Sequence, residues 1–437
     1  MAEDAKTHEH TRAIDLSSLY RKEDWWAVWL GFAILGLAAT RVVTWIPKIG
    51  KWTINPNIAF PLSDIPYFIL LGFSLLILTS VATLSMKEKT RGYWAGFPLV
   101  FFLAFLALLL SNQKTVNEWG LEYVLWALIF GLLISNTIGT PKWLKPAVKT
   151  ELFIKIGLVL LGAEILFQTI LSAGAFGIFE VTIGLFIVWY LCYYLAIRVG
   201  LNKSFACVMA SATSICGVSA AIAAGGAVKG DPKEVSYTIS LVLLFAMPML
   251  VLMPIIARAV GMPDAVVGAW IGGTIDTTPA VVAAGALYSD KAMNVASIIK
   301  MSQNVLIGVT AFLLALYWVL KVERKPKERP RPMEIWYRFP KFVMGFIIAS
   351  IIFSLLLVPT MGSTSVNSIL NITKGIRGWF FAMSFVCIGL DTKFMDLVKI
   401  GRGKPFLVFL VASIADIILS LLTAYVFFGG ILFPSPV

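Results

Sequence analysis

Apolar runs of membrane-crossing length recur along the whole chain, and this repetition constrains the fold more than any single motif. A spanning helix needs about 20 mostly apolar residues. Runs of that kind, bounded by charges or by Gly and Pro, lie near 26–46, 66–85, 94–111, 120–139, 151–170, 178–199, 204–228, 234–257, 264–287, 293–320, 339–359, 376–396 and 405–430. The expectation is an all-α polytopic membrane protein of about thirteen transmembrane helices. If the Gly-, Ser- and Thr-rich runs 204–228 and 264–287 are hairpins, the count falls to about eleven. Charged residues are 14% of the chain and the mean hydropathy is +0.85, against about 25% charged in soluble domains. This excludes a soluble enzyme. Both histidines, His8 and His10, lie in the polar first 25 residues. No imidazole is then available in the membrane for Ser–His hydrolysis, zinc proteolysis or haem ligation.

The net charge of +12 follows orientation. With the N-terminus in the cytoplasm, about 26 of the 36 Lys and Arg residues fall on the cytoplasmic side. The expected site is the bacterial cytoplasmic (inner) membrane, with the N-terminus inside. The expected partners are the lipid bilayer and no nucleic acid. Residues 1–25 read as a cytoplasmic tail without a signal-peptide pattern, and 321–337 as a basic cytoplasmic loop. Cys192, Cys207, Cys216 and Cys387 sit at irregular spacing in apolar stretches and form neither a disulfide framework nor a metal set.

An internal repeat is legible. Gly131, Ile134, Thr137 and Ile138 match Gly268, Ile271, Thr274 and Ile275 without a gap, and Pro141 and Pro279 close the two stretches. Lys155 and Lys300 follow in equivalent helices, and Cys216-Gly217 answers Cys387-Ile388-Gly389. Five helices per unit is odd, so the units would be inverted, as in many secondary transporters. The units are 119–260, and 261–320 with 338–437; residues 26–118 would be accessory scaffold helices. A rival pairing aligns Gly162-Ala-Glu164 with Gly389-Leu-Asp391.

Two segments carry the chemistry. Ser211, Thr213, Ser214, Cys216, Gly217 and Ser219 make span seven small and polar. Such a stretch opens its backbone only where it lines a cavity, and a break near Gly217 would turn amides toward an anion. The alternative is a small-residue packing face. In span nine, Thr274, Asp276, Thr277, Thr278 and Pro279 place a carboxylate, three hydroxyls and a helix breaker together. An intramembrane acid is a functional candidate by default, and hard oxygens suit Na+ or a proton; the alternative is an ordinary helix end at the interface. Gln303 and Asn304 are candidates for the same cavity or for interhelical hydrogen bonding, and Lys300 for countering Asp276, attracting the anion or snorkelling. Glu164 and Asp416 stand as single acids in apolar helices, either structural partners or relays.

Ser214-Ile-Cys216-Gly217, Thr274-Ile275 with Val281-Val-Ala-Ala-Gly285, Ile388-Gly-Leu390-x-Thr392 before Gly403-Lys404-Pro405, Asn136-Thr137-Ile138 and the Gly157–Phe167 helix together resemble the YeiH-type sulfate exporter family (UPF0324). The resemblance covers residues 120–430. It implies a fold related to the bile-acid and arsenite transporters: two inverted five-helix repeats with the fourth helix of each unwound, here spans seven and twelve. It also implies anion export. The family pattern has His-Glu where this chain has Asp276-Thr277, and lacks Pro279. Losing that imidazole removes a group that titrates near neutral pH, and Asp amid Thr hydroxyls leans toward Na+.

The expected protein is a secondary active transporter of a small sulfate- or sulfonate-like anion with elevator-like alternating access, coupled to Na+ or H+. It is expected to be a homodimer and not an enzyme, with no cofactor beyond a coupling Na+. Substrate contacts are expected from Asn136, Thr137, Ser211, Ser214, Cys216, Gly217, Ser219, Thr274, Thr277, Thr278, Gln303 and Asn304. Coupling-ion contacts are expected from Asp276, Thr277, Asp391 and Thr392. A core with spans seven and twelve would move against a panel with spans four and nine. The alternatives are an anion channel and, remotely, an intramembrane aspartyl hydrolase using Asp276 and Asp391, which needs two carboxyls close enough to share a proton.

Overall fold

Lipid offers no hydrogen-bond partners to a peptide group, so long Leu-, Ile-, Val- and Phe-rich runs satisfy their backbone as helices. A computed structural model describes residues 18–88, 90–118, 123–322, 336, 339–393, 395 and 403–430. The tail before Ser18 and most of the basic loop lie outside the described residues. Among the described residues the only β feature is an isolated bridge between Trp52 and Gln113.

The longer helices are α1 (Glu23–Ala39), α2 (Ile65–Ser85), α3 (Thr90–Ser111), α4 (Tyr123–Thr137), α5 (Thr150–Glu164), α6 (Phe167–Arg198), α7 (Lys203–Ser214), α8 (Gly217–Ala227), α9 (Pro232–Val260) and α10 (Asp264–Thr274). They continue with α11 (Thr278–Tyr288), α12 (Asp290–Tyr317), α13 (Lys341–Ile351, extended by a π-helical stretch, Ile352–Leu357, and a last α-helical turn, Val358–Met361), α14 (Ser363–Asp391) and α15 (Lys404–Phe428). Seven helical stretches among the described residues are long and apolar enough to cross a membrane, those of α2, α3, α6, α9, α12, α13 and α15. The chain is thus a multi-pass helical membrane protein. Outward-facing Phe73, Phe179, Phe186 and Tyr190 are exposed, as lipid-facing side chains are.

The other expected spans are shorter or more polar. Expected spans seven and nine are each two half-helices of 11 or 12 residues, about 17 Å per half against a core of about 30 Å. Spans five and six meet at Ile165–Leu166, and α6 runs for 32 residues. That junction is held by α13: the Ser350 hydroxyl donates to the Ile165 carbonyl at 2.5 Å, and the Phe167 amide donates to Ser354 Oγ at 3.0 Å. Glu164 is a structural partner, accepting two hydrogen bonds from Arg377 of α14 at 2.7 and 3.0 Å.

Span twelve corrects the sequence reading. The helix α14 continues unbroken through Cys387-Ile388-Gly389, because Gly389 serves a helix crossing. A Cβ on Gly389 would stand 2.5 Å from the Leu128 carbonyl and 2.7 Å from the Leu132 amide of α4, and Gly131 approaches α14 as closely. Gly389→Ala therefore pushes backbone against backbone, where no rotamer relieves the strain. A loss of about 1–3 kcal/mol is expected, read as a lower thermal midpoint in detergent; an unchanged midpoint would contradict the close crossing.

The helices associate differently from the expected core and panel. The fourth and twelfth expected spans, α4 and α14, pack on each other and both on α3; α14 also packs on α5, which packs in turn on α1 and α13. The α10–α11 pair packs on α12, while α6 packs on α7, α12 and α15. Spans seven and nine thus belong together, and spans four and twelve together.

Candidate functional site

Each broken helix stops for a local reason. In span nine, Pro279 is the second residue of α11; a continuous helix would drive its ring into the Ile275 carbonyl and lack the matching N–H. Ile275 and Thr277 are accordingly extended. In span seven, Cys216 is extended, and Gly217 opens α8 where a Cβ would collide with Val242 of α9. The two breaks touch, with the Gly217 amide donating to the main-chain carbonyl of Asp276 at 2.8 Å. That amide, expected to face an anion, is therefore already used.

Four helix ends meet at this crossing, and α12 ties them. Lys300 is fully buried, and its Nζ donates to the Ile215 carbonyl at 2.9 Å and to Gln303 Oε1 at 2.6 Å. Gln303 Nε2 reaches the carbonyls of Ser214 and Gly273, each at 3.3 Å. A cation is favourable at the negative, C-terminal ends of helices, here those of α7 and α10. Lys300 therefore neither snorkels nor faces an open anion site. Asn304 Nδ2 donates to Thr278 Oγ1 at 3.2 Å, while Asn304 Oδ1 is buried without a partner.

Beside the crossing lies a cavity of about 420 Å³. One wall carries Cys216, Val218, Ser219, Ile222 and Ala223 from the seventh span, Asp276, Thr277 and Thr278 from the ninth, and Asn304 and Ile307 from α12. The opposite wall carries Asp24 of α1, Glu151 and Lys155 of α5, and Pro340 and Phe342 at the start of α13. The positive, N-terminal ends of α8 and α11 both border it. On the far wall Lys155 Nζ pairs with Glu23 at 2.8 Å, Asp24 at 2.9 Å and Glu151 at 3.5 Å. The Asp24 carboxylate also accepts the Lys341 amide at 3.1 Å.

The expected site residues divide three ways. Cys216, Ser219, Asp276, Thr277, Thr278 and Asn304 come together on the cavity wall, with Gly217 at the crossing. Ser211, Ser214, Thr274 and Gln303 are not on that wall. The Ser211 oxygen accepts the Trp189 indole at 3.1 Å, Ser214 donates to its own helix at 2.7 Å, and Thr274 is buried. Asn136, Thr137, Asp391 and Thr392 are elsewhere again, at the joined ends of α4 and α14. Asn136 Nδ2 donates to the Thr392 carbonyl at 3.0 Å, and Thr137 and Thr392 donate within their helices. Asp391 accepts from Thr150 at 3.2 Å. These four are drawn away from the crossing by the Gly131–Gly389 contact, so Asp276 and Asp391 belong to different clusters.

Sequence reasoning missed the second wall. Glu23 and Asp24 fall in what reads as the cytoplasmic tail, yet α1 begins at Glu23, brings Asp24 to the cavity and pairs Glu23 with Lys155 of that wall. The available signal was Lys155, a base in an apolar run with no acid beside it except Glu151.

The family model described as "Conserved hypothetical protein 698" matches residues 95–409. A UPF0324 membrane protein of Rhodopirellula baltica is 44% identical over 398 residues, covering 89% of this chain and 73% of the relative. One from Nitratidesulfovibrio vulgaris is 42% identical over 358 residues, 80% of this chain, and the match spans 62% of that relative's length. One from Nitrosomonas europaea is 31% identical over 460 residues, covering 91% of this chain and 93% of the relative. No solved structure matches. With a family model over most of its length and relatives this similar, the chain belongs to the UPF0324 family of membrane proteins.

Proposed function

We propose that the protein is a secondary active transporter of a small sulfate- or sulfonate-like anion in the bacterial cytoplasmic membrane. The observation that carries this reading is the cavity at the crossing, bordered by two half-helix N-termini and by the hydroxyls of Ser219, Thr277 and Thr278. First-turn amides have no partner within their helix, and with the dipole they make such an end an anion site. No free base on that wall is needed. Asp276 sits on the same wall, so an anion entering with the carboxylate ionised meets like charge. A cation or proton at Asp276 removes that repulsion, which links the two ions energetically. The Thr hydroxyls beside it are hard oxygen donors suited to Na+.

The two walls belong to different groups of helices, α1, α5 and α13 against α8, α11 and α12. Sliding one group past the other would carry the anion between faces of the membrane, an elevator-like movement. The Lys155 cluster would be the contact that breaks and reforms. The excess of bases on alternate loops supports a cytoplasmic N-terminus.

In proteoliposomes, uptake of labelled sulfate or a sulfonate is expected to saturate and to show counterflow against unlabelled anion. Linear current without counterflow would establish a pore instead. A thermal-shift screen of sulfate, sulfite, sulfonates, dicarboxylates and bicarbonate, each with and without Na+, would name the substrate.

A further inference from the structure

The fully buried acid Glu180 has no role in the cavity. Its two carboxylate oxygens are both buried without a hydrogen-bond partner, and the residue is 1% exposed. Thr423 lies beside it, but the Thr423 hydroxyl points at the Leu419 carbonyl, 3.0 Å away. Facing Glu180 is the C-terminal end of α10. A Cβ placed on Gly273 would stand 3.4 Å from Glu180 Oε1 and would collide with Ser420 Oγ, so α6 and α15 both reach the backbone there. On α15, Ser413, Asp416 and Ser420 lie at spacings of three and four and share one buried face. The Trp270 indole donates to the Ile417 carbonyl at 2.9 Å and holds α10 against that face. Thr274 Oγ1 and Ser413 Oγ are also buried and without partners.

Charge does not balance in this region. Asp416 has Asp276, Glu180 and Lys300 as charged neighbours. Three carboxyls thus answer to one ammonium, and Lys300 spends its protons on the Ile215 carbonyl and Gln303. The C-terminal end of α10 adds further negative potential. Buried carboxylates are expected to be paired or to coordinate a metal ion. A proton on Glu180 would settle one charge yet leave the Thr274 oxygen unsatisfied, whereas a dehydrated cation at the end of α10 takes lone pairs from both. Among the described residues no group of three or more His, Cys, Asp or Glu side chains is spaced to hold a metal ion. A donor set of two carboxyls and hydroxyls suits a single charge.

We propose that Glu180 and Asp416, with the hydroxyls of Thr274 and Ser420, bind one sodium-sized monovalent cation at the end of α10, separate from the cavity that Asp276 lines. This assignment stands apart from the anion reading, because it is tested by binding and not by transport.

The test is the unfolding midpoint of the full-length protein in detergent, at fixed pH and ionic strength, as Na+ replaces choline. A saturable rise is expected, smaller with K+. Glu180→Gln should weaken the apparent Na+ affinity by about tenfold or more, the scale of losing one charged ligand. Asp276→Asn should keep a saturable rise. If Glu180→Gln does not fold, Gly273→Ala narrows the same site from the backbone side and should weaken Na+ similarly. Three results would overturn the proposal. One is a wild-type midpoint that responds to pH and not to Na+. Another is a Na+ response unchanged in both Glu180→Gln and Gly273→Ala. The third is a response lost in Asp276→Asn alone, which would place the sodium on the cavity wall.

Discussion

Asp276→Asn is expected to abolish coupled anion uptake in proteoliposomes while leaving the protein folded. The crossing is held by the main-chain carbonyl of Asp276, which accepts the Gly217 amide, and Asn presents the same carbonyl in a side chain of nearly the same shape. What Asn removes is the charge on the cavity wall. A cation bound there loses a charged ligand, worth about 1.5–3 kcal/mol, or roughly ten- to a hundredfold in affinity. The anion also loses the repulsion that tied it to the cation. Uptake driven by a Na+ gradient should therefore fall to the level set by the anion gradient alone. Counterflow of the anion should persist, because the half-helix ends that face it are unchanged. Full Na+-dependent uptake by the variant would move coupling away from Asp276, and the Glu180–Asp416 cluster would then be its location. A variant without counterflow, but folded, would show that anion binding itself requires the cation or proton held at Asp276.

Lys300→Ala is expected to be the most destabilising single change at the crossing. The ammonium is fully buried and satisfies the Ile215 carbonyl and Gln303 Oε1. Removing it orphans both groups and leaves the negative ends of α7 and α10, together with Asp276 and Asp416, without their neighbouring buried base. Each buried acceptor left unsatisfied costs about 1–3 kcal/mol, and the lost side chain leaves a void. The expected outcome is a large drop in thermal midpoint or failure to purify as a single species. Both are read by fluorescence-detected size exclusion after a heating series. Lys300→Arg keeps the charge and should recover part of the midpoint, limited by the fit of a wider head group in a closed space. Normal stability in Lys300→Ala with lost anion binding would reassign Lys300 from the helix ends to the substrate.

The polar breaks were legible because lipid makes them costly. Pro279 among Thr hydroxyls, and Ser214 to Ser219 in an apolar setting, read as interruptions and are interruptions. Gly389 shows the opposite case. A glycine in a membrane helix serves equally to open the backbone or to let another backbone approach, and residue type does not distinguish the two. Here it admits Leu128 and Leu132 of α4. Glu180 illustrates a third situation: one acid in a 32-residue apolar helix is visible in sequence, but its meaning depends on α10 and α15, far along the chain.

The amino-acid sequence by itself determined that the chain is helical and membrane-embedded. It also marked where two helices break and that Asp276 stands at one of the breaks. Each of these follows from local rules: apolar length, the missing N–H of Pro279, and the cost of a carboxylate in lipid. Only the tertiary structure decided which breaks meet, what Lys300 is for, and that α1 closes the cavity opposite Asp276. Those outcomes depend on contacts between residues tens to hundreds of positions apart, such as Gly217 with Asp276 and Gly131 with Gly389. Such pairings are selected by close packing and by the need of every buried charge for a partner, and neither condition is written in any one stretch of the chain.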